Sequence, residues 1–180
     1  MPVIIINTKI QGLKIIKHKL NIDNRGSLRE TFKKKIINWE NFVCEYFTAS
    51  KKNVIRGLHF QYKNQQAKFI TVAKGKILDV VIDLRKKSKT FGKSFSIILS
   101  DKNCKSLYIP KGFAHGFYCY DNLNIMHYKL SDYYKPGSEG GIMWNDKSLK
   151  IKWPTKKPIL SKKDSCNLNF QEFLTKYKSL

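Results

Sequence analysis

The sequence predicts an antiparallel all-β domain, a sandwich or barrel whose strand count a jelly roll fits. Short segments that alternate or are rich in β-branched residues recur at near-regular spacing. Turn chemistry separates them at Asn24-Arg25-Gly26, Lys74-Gly75, Pro110-Lys111-Gly112, Asp121-Asn122 and Lys135-Pro136-Gly137. Firm helical periodicity is confined to the C-terminus, where Phe170, Phe173, Leu174 and Tyr177 share one face.

In order, residues 13–16 read as the first strand, 28–32 as the next, and 33–39 as a short helix. Strands follow at 42–48 and 54–60. Residues 69–73 and 77–84 flank Lys74-Gly75, which reads as a hairpin turn. Further strands are read at 95–99, 106–109, 117–120 and 124–130. Asn167 or Ser165 would cap the last helix. The 180 residues carry no repeat or linker and suit a single domain over 1–180.

Hydrophobic residues make up 42% of the chain, which excludes a disordered protein. No apolar run approaches the roughly 20 residues of a membrane span, so no membrane partner is expected. Val3-Ile4-Ile5-Ile6 lacks the length and flanks of an export signal, and the expected location is the cytoplasm. The net charge is +22, a value that raises nucleic acid as a partner. Nearly all the cations are lysines, however, and arginine, with the bidentate fork that base readers favour, occurs only at Arg25, Arg29, Arg56 and Arg85. Biased composition is the better reading, with no nucleic-acid partner; the positive field would still attract a phosphorylated small substrate. Cys44, Cys104, Cys119 and Cys166 are scattered, which argues for free thiols rather than a zinc site.

The chemistry concentrates in Asn53-Val54-Ile55-Arg56-Gly57-Leu58-His59-Phe60-Gln61, with Lys68 just beyond. His59 has the intrinsic pKa of a base at neutral pH, although a lone strand histidine is more often a hydrogen-bonded core residue. Alternation puts Arg56 and His59 on opposite faces unless a bulge intervenes at Gly57. His115, between small residues after a Pro-Gly turn, reads equally as a barrel-mouth residue or as a turn histidine bonded to backbone. Tyr128 alone would be a core aromatic, Tyr133 and Tyr134 a core pair or a stacking platform for a base, and Asp164 part of a solvated charged turn. His59 is followed by Phe60-Gln61, so the H-x-H pair of metal-binding cupins is missing and a metal-independent site is expected. The fingerprints of dinucleotide folds, P-loop NTPases and α/β-hydrolases are absent.

Taken together, the blocks resemble the dTDP-4-dehydrorhamnose 3,5-epimerase family over nearly the whole chain. They are Asp23-Asn24-Arg25-Gly26, the Asn53–Gln61 run, Gln66-Ala67-Lys68, the Val80–Gly92 segment and Ile109-Pro110-Lys111-Gly112-Phe113-Ala114-His115-Gly116. Tyr128-Lys129, Asp132-Tyr133-Tyr134, Trp144-Asn145-Asp146, Ile151-Lys152-Trp153-Pro154 and Leu160-Ser161-Lys162-Lys163-Asp164 complete the set. The resemblance implies a cupin-type double-stranded β-helix, a homodimer, no metal or other cofactor, and a dTDP-4-keto-6-deoxy sugar as substrate. It implies that His59 accepts a proton, Asp164 orients it, Tyr128 donates to the opposite face of the sugar, and Lys68 stands near the C4 oxygen. Arg25, Glu30, Arg56, His115, Glu139 and Lys163 match substrate contacts, and Tyr134 matches the aromatic that stacks on thymine.

The chain departs from the family where a Q-D-N-H-S stretch is usual: it has Cys44-Glu45-Tyr46-Phe47-Thr48, so Cys44, Tyr46 and Phe47 replace Gln, Asn and His. Leu28 stands where an aromatic is common. Such changes remove polar contacts and add bulk near the expected sugar site, which leaves open a different 4-keto nucleotide sugar or inversion at one carbon. A ketoisomerase of the same class and a non-catalytic nucleotide-sugar or nucleic-acid binding module are the rival readings.

Overall fold

Period-two alternation along the strand segments builds two facing antiparallel sheets in the computed structural model, which describes residues 3–180. The strands in chain order are β1 (Val3–Asn7), β2 (Lys14–His18), β3 (Leu20–Asp23), β4 (Gly26–Arg29), β5 (Cys44–Ser50), β6 (Ile55–Gln61) and β7 (Lys68–Lys74). They continue as β8 (Lys76–Asp83), β9 (Ser94–Ser100), β10 (Lys105–Ile109), β11 (Phe113–Cys119), β12 (Asn124–Leu130) and β13 (Glu139–Gly141), and helix α1 (Phe170–Tyr177) follows. One sheet runs β1-β2-β10-β7-β12-β5, the facing one β13-β6-β11-β8-β9, and β3–β4 form a separate hairpin. This is the jelly roll, the cupin-type double-stranded β-helix.

The core lies between the sheets. Ile70, Val72, Leu107, Met126 and Tyr128 of one sheet meet Ile77, Val81, Leu99, Phe113 and Phe117 of the other. Both outer faces are covered as well, which is why several strands are nearly continuous in apolar residues. On the outside of the five-stranded sheet, Leu58, Phe60, Val80, Ile82 and Ala114 pack under Phe173 of α1. Asn169 caps that helix, accepting from the Glu172 amide while the Glu172 carboxylate accepts from Asn169 N, a reciprocal capping box. The cap is therefore neither Asn167 nor Ser165. On the outside of the six-stranded sheet, Phe32, Ile37, Trp39 and Phe42 cover Ile16, Phe69 and Tyr108.

Three expectations are corrected. Residues 33–39 form a turn in which the Ile36 and Ile37 amides both bond Lys33 O, not a helix; the segment's apolar side chains serve the sheet beneath it. Lys74-Gly75 is a corner rather than a hairpin, because β7 and β8 belong to different sheets. Gly75 sits at φ +87°, and an added Cβ would stand 2.5 Å from Leu123 O. The strand read as 117–120 begins instead at Phe113, which places His115 in the middle of β11.

Candidate active site

The β6 backbone does what Gly57 allows. In its pairing with β11, His115 lies opposite His59 and Phe117 opposite Arg56, so β6 carries one residue more than its partner over that step. Gly57 occupies φ +122°, and a Cβ there would fall 2.6 Å from Gly116 Cα. The bulge turns Arg56 and His59 into the same cavity.

That inner chamber, about 200 Å³, is lined by Tyr46, Thr48, Arg56, His59, Lys68, His115, Phe117 and Tyr128. An outer chamber of about 380 Å³ adjoins it and includes Gln61, Gln66, Tyr134 and Glu139. Tyr46, His59 and Lys68 line both, and so form the throat between them. His59 comes from one sheet, Lys68 and Tyr128 from the other.

His59 Nε2 lies 2.5 Å from Asp164 Oδ1. Asp164 is buried, and its other oxygen accepts from the Gly57 amide at 3.4 Å. Burial alone would raise the Asp164 pKa, but the hydrogen bond and charge of His59, with the Gly57 and Ser161 bonds, hold it below the ordinary carboxylate range. An ionised Asp164 fixes the proton on Nε2 and leaves Nδ1 as the basic nitrogen of a neutral His59. A second imidazole–carboxylate pair joins His115 Nε2 to Asp79 Oδ2 at 2.9 Å. Burial pushes the His115 pKa down against the pull of Asp79, so this ring is a neutral hydrogen-bonding wall.

Burial pushes Lys68 down to about 8, opposed by the negative charges of Asp79 and Glu139. Tyr128 moves the other way: burial first, then its neighbours Tyr46 and Asp79, raise it well above an ordinary phenol, so it stays a protonated donor. In the outer chamber Tyr134 is 61% exposed and its hydroxyl donates to Glu139 Oε2 at 3.3 Å. Lys163 pairs with the same carboxylate. Among the described residues no group of three or more His, Cys, Asp or Glu side chains converges as a metal cage.

Seven of the eleven residues singled out in the sequence thus line the two chambers, and Asp164 and Lys163 join them through His59 and Glu139. The other two stand apart: Arg25, at the tip of the β3–β4 hairpin, pairs with Asp23 at 2.6 Å, and Glu30, just after β4, pairs with Lys33 at 2.9 Å. Of the departures, Tyr46 faces the chamber. Phe47 lies on the opposite face of β5, stacked on His127 at 4.6 Å, and Leu28 is 64% exposed on the hairpin, so neither adds bulk at the site. Asp79 escaped the sequence reading. Its signal was a carboxylate inside the apolar run Ile77-Leu78-Asp79-Val80-Val81-Ile82.

A family model described as dTDP-4-dehydrorhamnose 3,5-epimerase matches residues 7–172. A protein of that name from Salmonella typhimurium is 42% identical over 169 residues, covering 90% of this chain and 92% of the relative. A crystal structure of dTDP-6-deoxy-D-glucose-3,5-epimerase from Legionella pneumophila, in complex with dTDP-4-keto-L-rhamnose, superposes with a TM-score of 0.90 at 40% identity, covering 94% of each chain. The Bacillus anthracis dTDP-4-dehydrorhamnose 3,5-epimerase, solved with TDP and pyrophosphate bound, gives a TM-score of 0.90 at 39% identity, covering 94% of this chain and all of that one. Those matches, spanning the segments that carry His59, Lys68, Tyr128 and Asp164, show that this chain belongs to the dTDP-4-dehydrorhamnose 3,5-epimerase family.

Proposed function

We propose that the protein converts dTDP-4-dehydro-6-deoxy-D-glucose to dTDP-4-dehydro-L-rhamnose by inverting C3 and C5. One observation carries the reading: His59 and Tyr128, projected from facing sheets, line one chamber with the Lys68 ammonium beside them. A C4 ketone acidifies the hydrogens on both neighbouring carbons. His59 Nδ1 removes one of them, and the electron pair moves onto the C4 oxygen as an enolate. Lys68 stabilises that developing charge, an interaction stronger in the transition state than in the ground state. Asp164 stabilises the imidazolium. Tyr128 then delivers a proton to the carbon from the opposite face, and exchange with solvent restores both groups.

Tyr134, in the outer chamber, offers a face for the thymine, while Arg56, in the inner chamber, and Lys163, paired with Glu139, offer charge for the diphosphate. A homodimer fits the same reading, because Arg25 and Glu30 lie away from the chambers on a hairpin whose Ile22 and Leu28 are exposed, where a second copy would meet them. A cytoplasmic location agrees with a soluble nucleotide-sugar substrate; among the described residues no helix is long and apolar enough to cross a membrane.

The test is incubation with dTDP-4-keto-6-deoxyglucose in D2O. Deuterium at C3 and C5 of an L-rhamno product supports the proposal, deuterium at one carbon assigns a single inversion, and none at either overturns it.

A further inference from the structure

We propose that Tyr46 is the positioning residue for Tyr128: its ring, stacked on the Tyr128 ring at the throat between the chambers, fixes where the phenol stands when it returns its proton. The proposal rests on the epimerase reading for its kinetic consequence, but its structural basis is independent of the substrate. Tyr46 lies directly opposite Tyr128 in the β5–β12 register, so both side chains leave the sheet on the same face. Their ring centroids are 4.8 Å apart with planes inclined by 25°. The Tyr128 and His115 rings meet edge to face with centroids 6.1 Å apart, and His115 is itself held by Asp79.

The polar neighbours of the phenol are Thr48, which lines the same chamber, and Met126. The Tyr128 hydroxyl reaches Met126 Sδ at 3.7 Å, and thioether sulfur is a weak acceptor. Ring packing acts beside these contacts in setting its position, and among the described residues Tyr46 supplies the stacked face. Tyr46 is 43% exposed and lines both chambers. A sugar entering the inner chamber from the outer one passes this ring.

Misplacement of a proton donor by a fraction of an ångström harms its own step first. Abstraction by His59, on the facing sheet, is a separate event. Loss of the stack should therefore uncouple exchange from inversion. Wild type, Tyr46→Phe and Tyr46→Ala would be compared in D2O by proton NMR, counting deuterium washed into recovered substrate against inverted product. In Tyr46→Ala the inversion-to-exchange ratio is expected to fall about tenfold or more, and Tyr46→Phe, which keeps the ring, is expected to restore it. An unchanged ratio in Tyr46→Ala, or equal loss in Tyr46→Phe, overturns the proposal. So does a parallel loss of exchange and inversion, which would make Tyr46 a general binding or structural residue.

A second readout needs no substrate. With tyrosine labelled at Cζ, the Tyr128 resonance, identified by its absence in Tyr128→Phe, is expected to shift or broaden in Tyr46→Ala and to stay in place in Tyr46→Phe. If wild type shows no exchange with 4-keto sugars, the epimerase reading fails, and an immobile Tyr128 resonance in Tyr46→Ala would sink the positioning role separately.

Discussion

His59 and Asp164, 105 positions apart in the chain, meet at 2.5 Å through Nε2 and Oδ1, with the carboxylate buried behind the ring and the other ring nitrogen left to the chamber. The pairing sets both the tautomer and the direction in which the base points. Asp164→Asn keeps the shape but cannot hold the imidazolium, and its amide can donate where the carboxylate must accept. The expected result is a fall in kcat of about 10²–10⁴ with an unchanged far-UV spectrum. His59→Asn should lose at least as much. Wild-type kcat in either variant would remove this pair from the reaction.

Lys68 ties activity to pH, and against stability. Its pKa is lowered to about 8 because burial disfavours the ammonium. Activity should therefore decline as pH rises through about 8, as the charge that the proposed reaction places at the enolate oxygen is lost. For stability, between about pH 8 and the ordinary lysine value near 10.4 the unfolded chain binds the proton and the folded chain does not. This group's contribution to stability therefore rises with pH across that window, and below it the buried charge carries its full cost. Lys68→Met is expected to be nearly inactive yet more stable at pH 7, by up to about 3 kcal/mol before screening by cavity water. Thermal melts beside single-turnover kinetics check both halves; a less stable, still active variant would contradict them.

Gly57 is where fold and site are joined. At φ +122° the backbone lies outside the range of other residues, and a methyl group would meet Gly116 Cα at 2.6 Å and His115 O at 2.8 Å. Gly57→Ala must shift β6 against β11, the two strands that present His59 and His115. A loss above about 2 kcal/mol is expected in denaturant unfolding, by the combined strain and overpacking mechanisms. Any soluble fraction should also show weakened catalysis, since Arg56 and His59 would no longer share a face.

What the residues revealed unaided divides along physical lines. β12 was legible to the residue, and most central strands to within a few, because alternation and β-branched composition are local signals. The bulge at Gly57 could be anticipated because two polar residues of one strand needed a common face. The Gly75 corner could not, since turn chemistry says that the chain bends, not which sheet the next strand joins. His115 was read near a turn because it comes after Pro110-Lys111-Gly112 and lies between the small residues Ala114 and Gly116. Gly116 is there instead because Arg56 O would stand 2.7 Å from any Cβ, a long-range requirement invisible in a local window. Asp164 looked like a surface charge; its burial is created by a chain segment that closes over His59 only in the finished fold.

Tyr128→Phe separates the two halves of the proposed reaction. The phenyl ring keeps the stack on Tyr46 and the edge contact with His115, so the chamber should retain its shape. What disappears is the hydroxyl whose proton burial holds in place. Abstraction from the His59 side remains possible, and the enolate is then reprotonated from that same side or by water. The expected outcome is deuterium exchange into recovered substrate within about tenfold of wild type, with inversion reduced by about 10² or more, the range in which a positioned acid contributes. NMR of substrate and product from one D2O incubation measures both quantities. Exchange and inversion falling by the same factor would mean that Tyr128 acts before the enolate forms, and the assignment of opposite faces to His59 and Tyr128 would have to be reversed or abandoned.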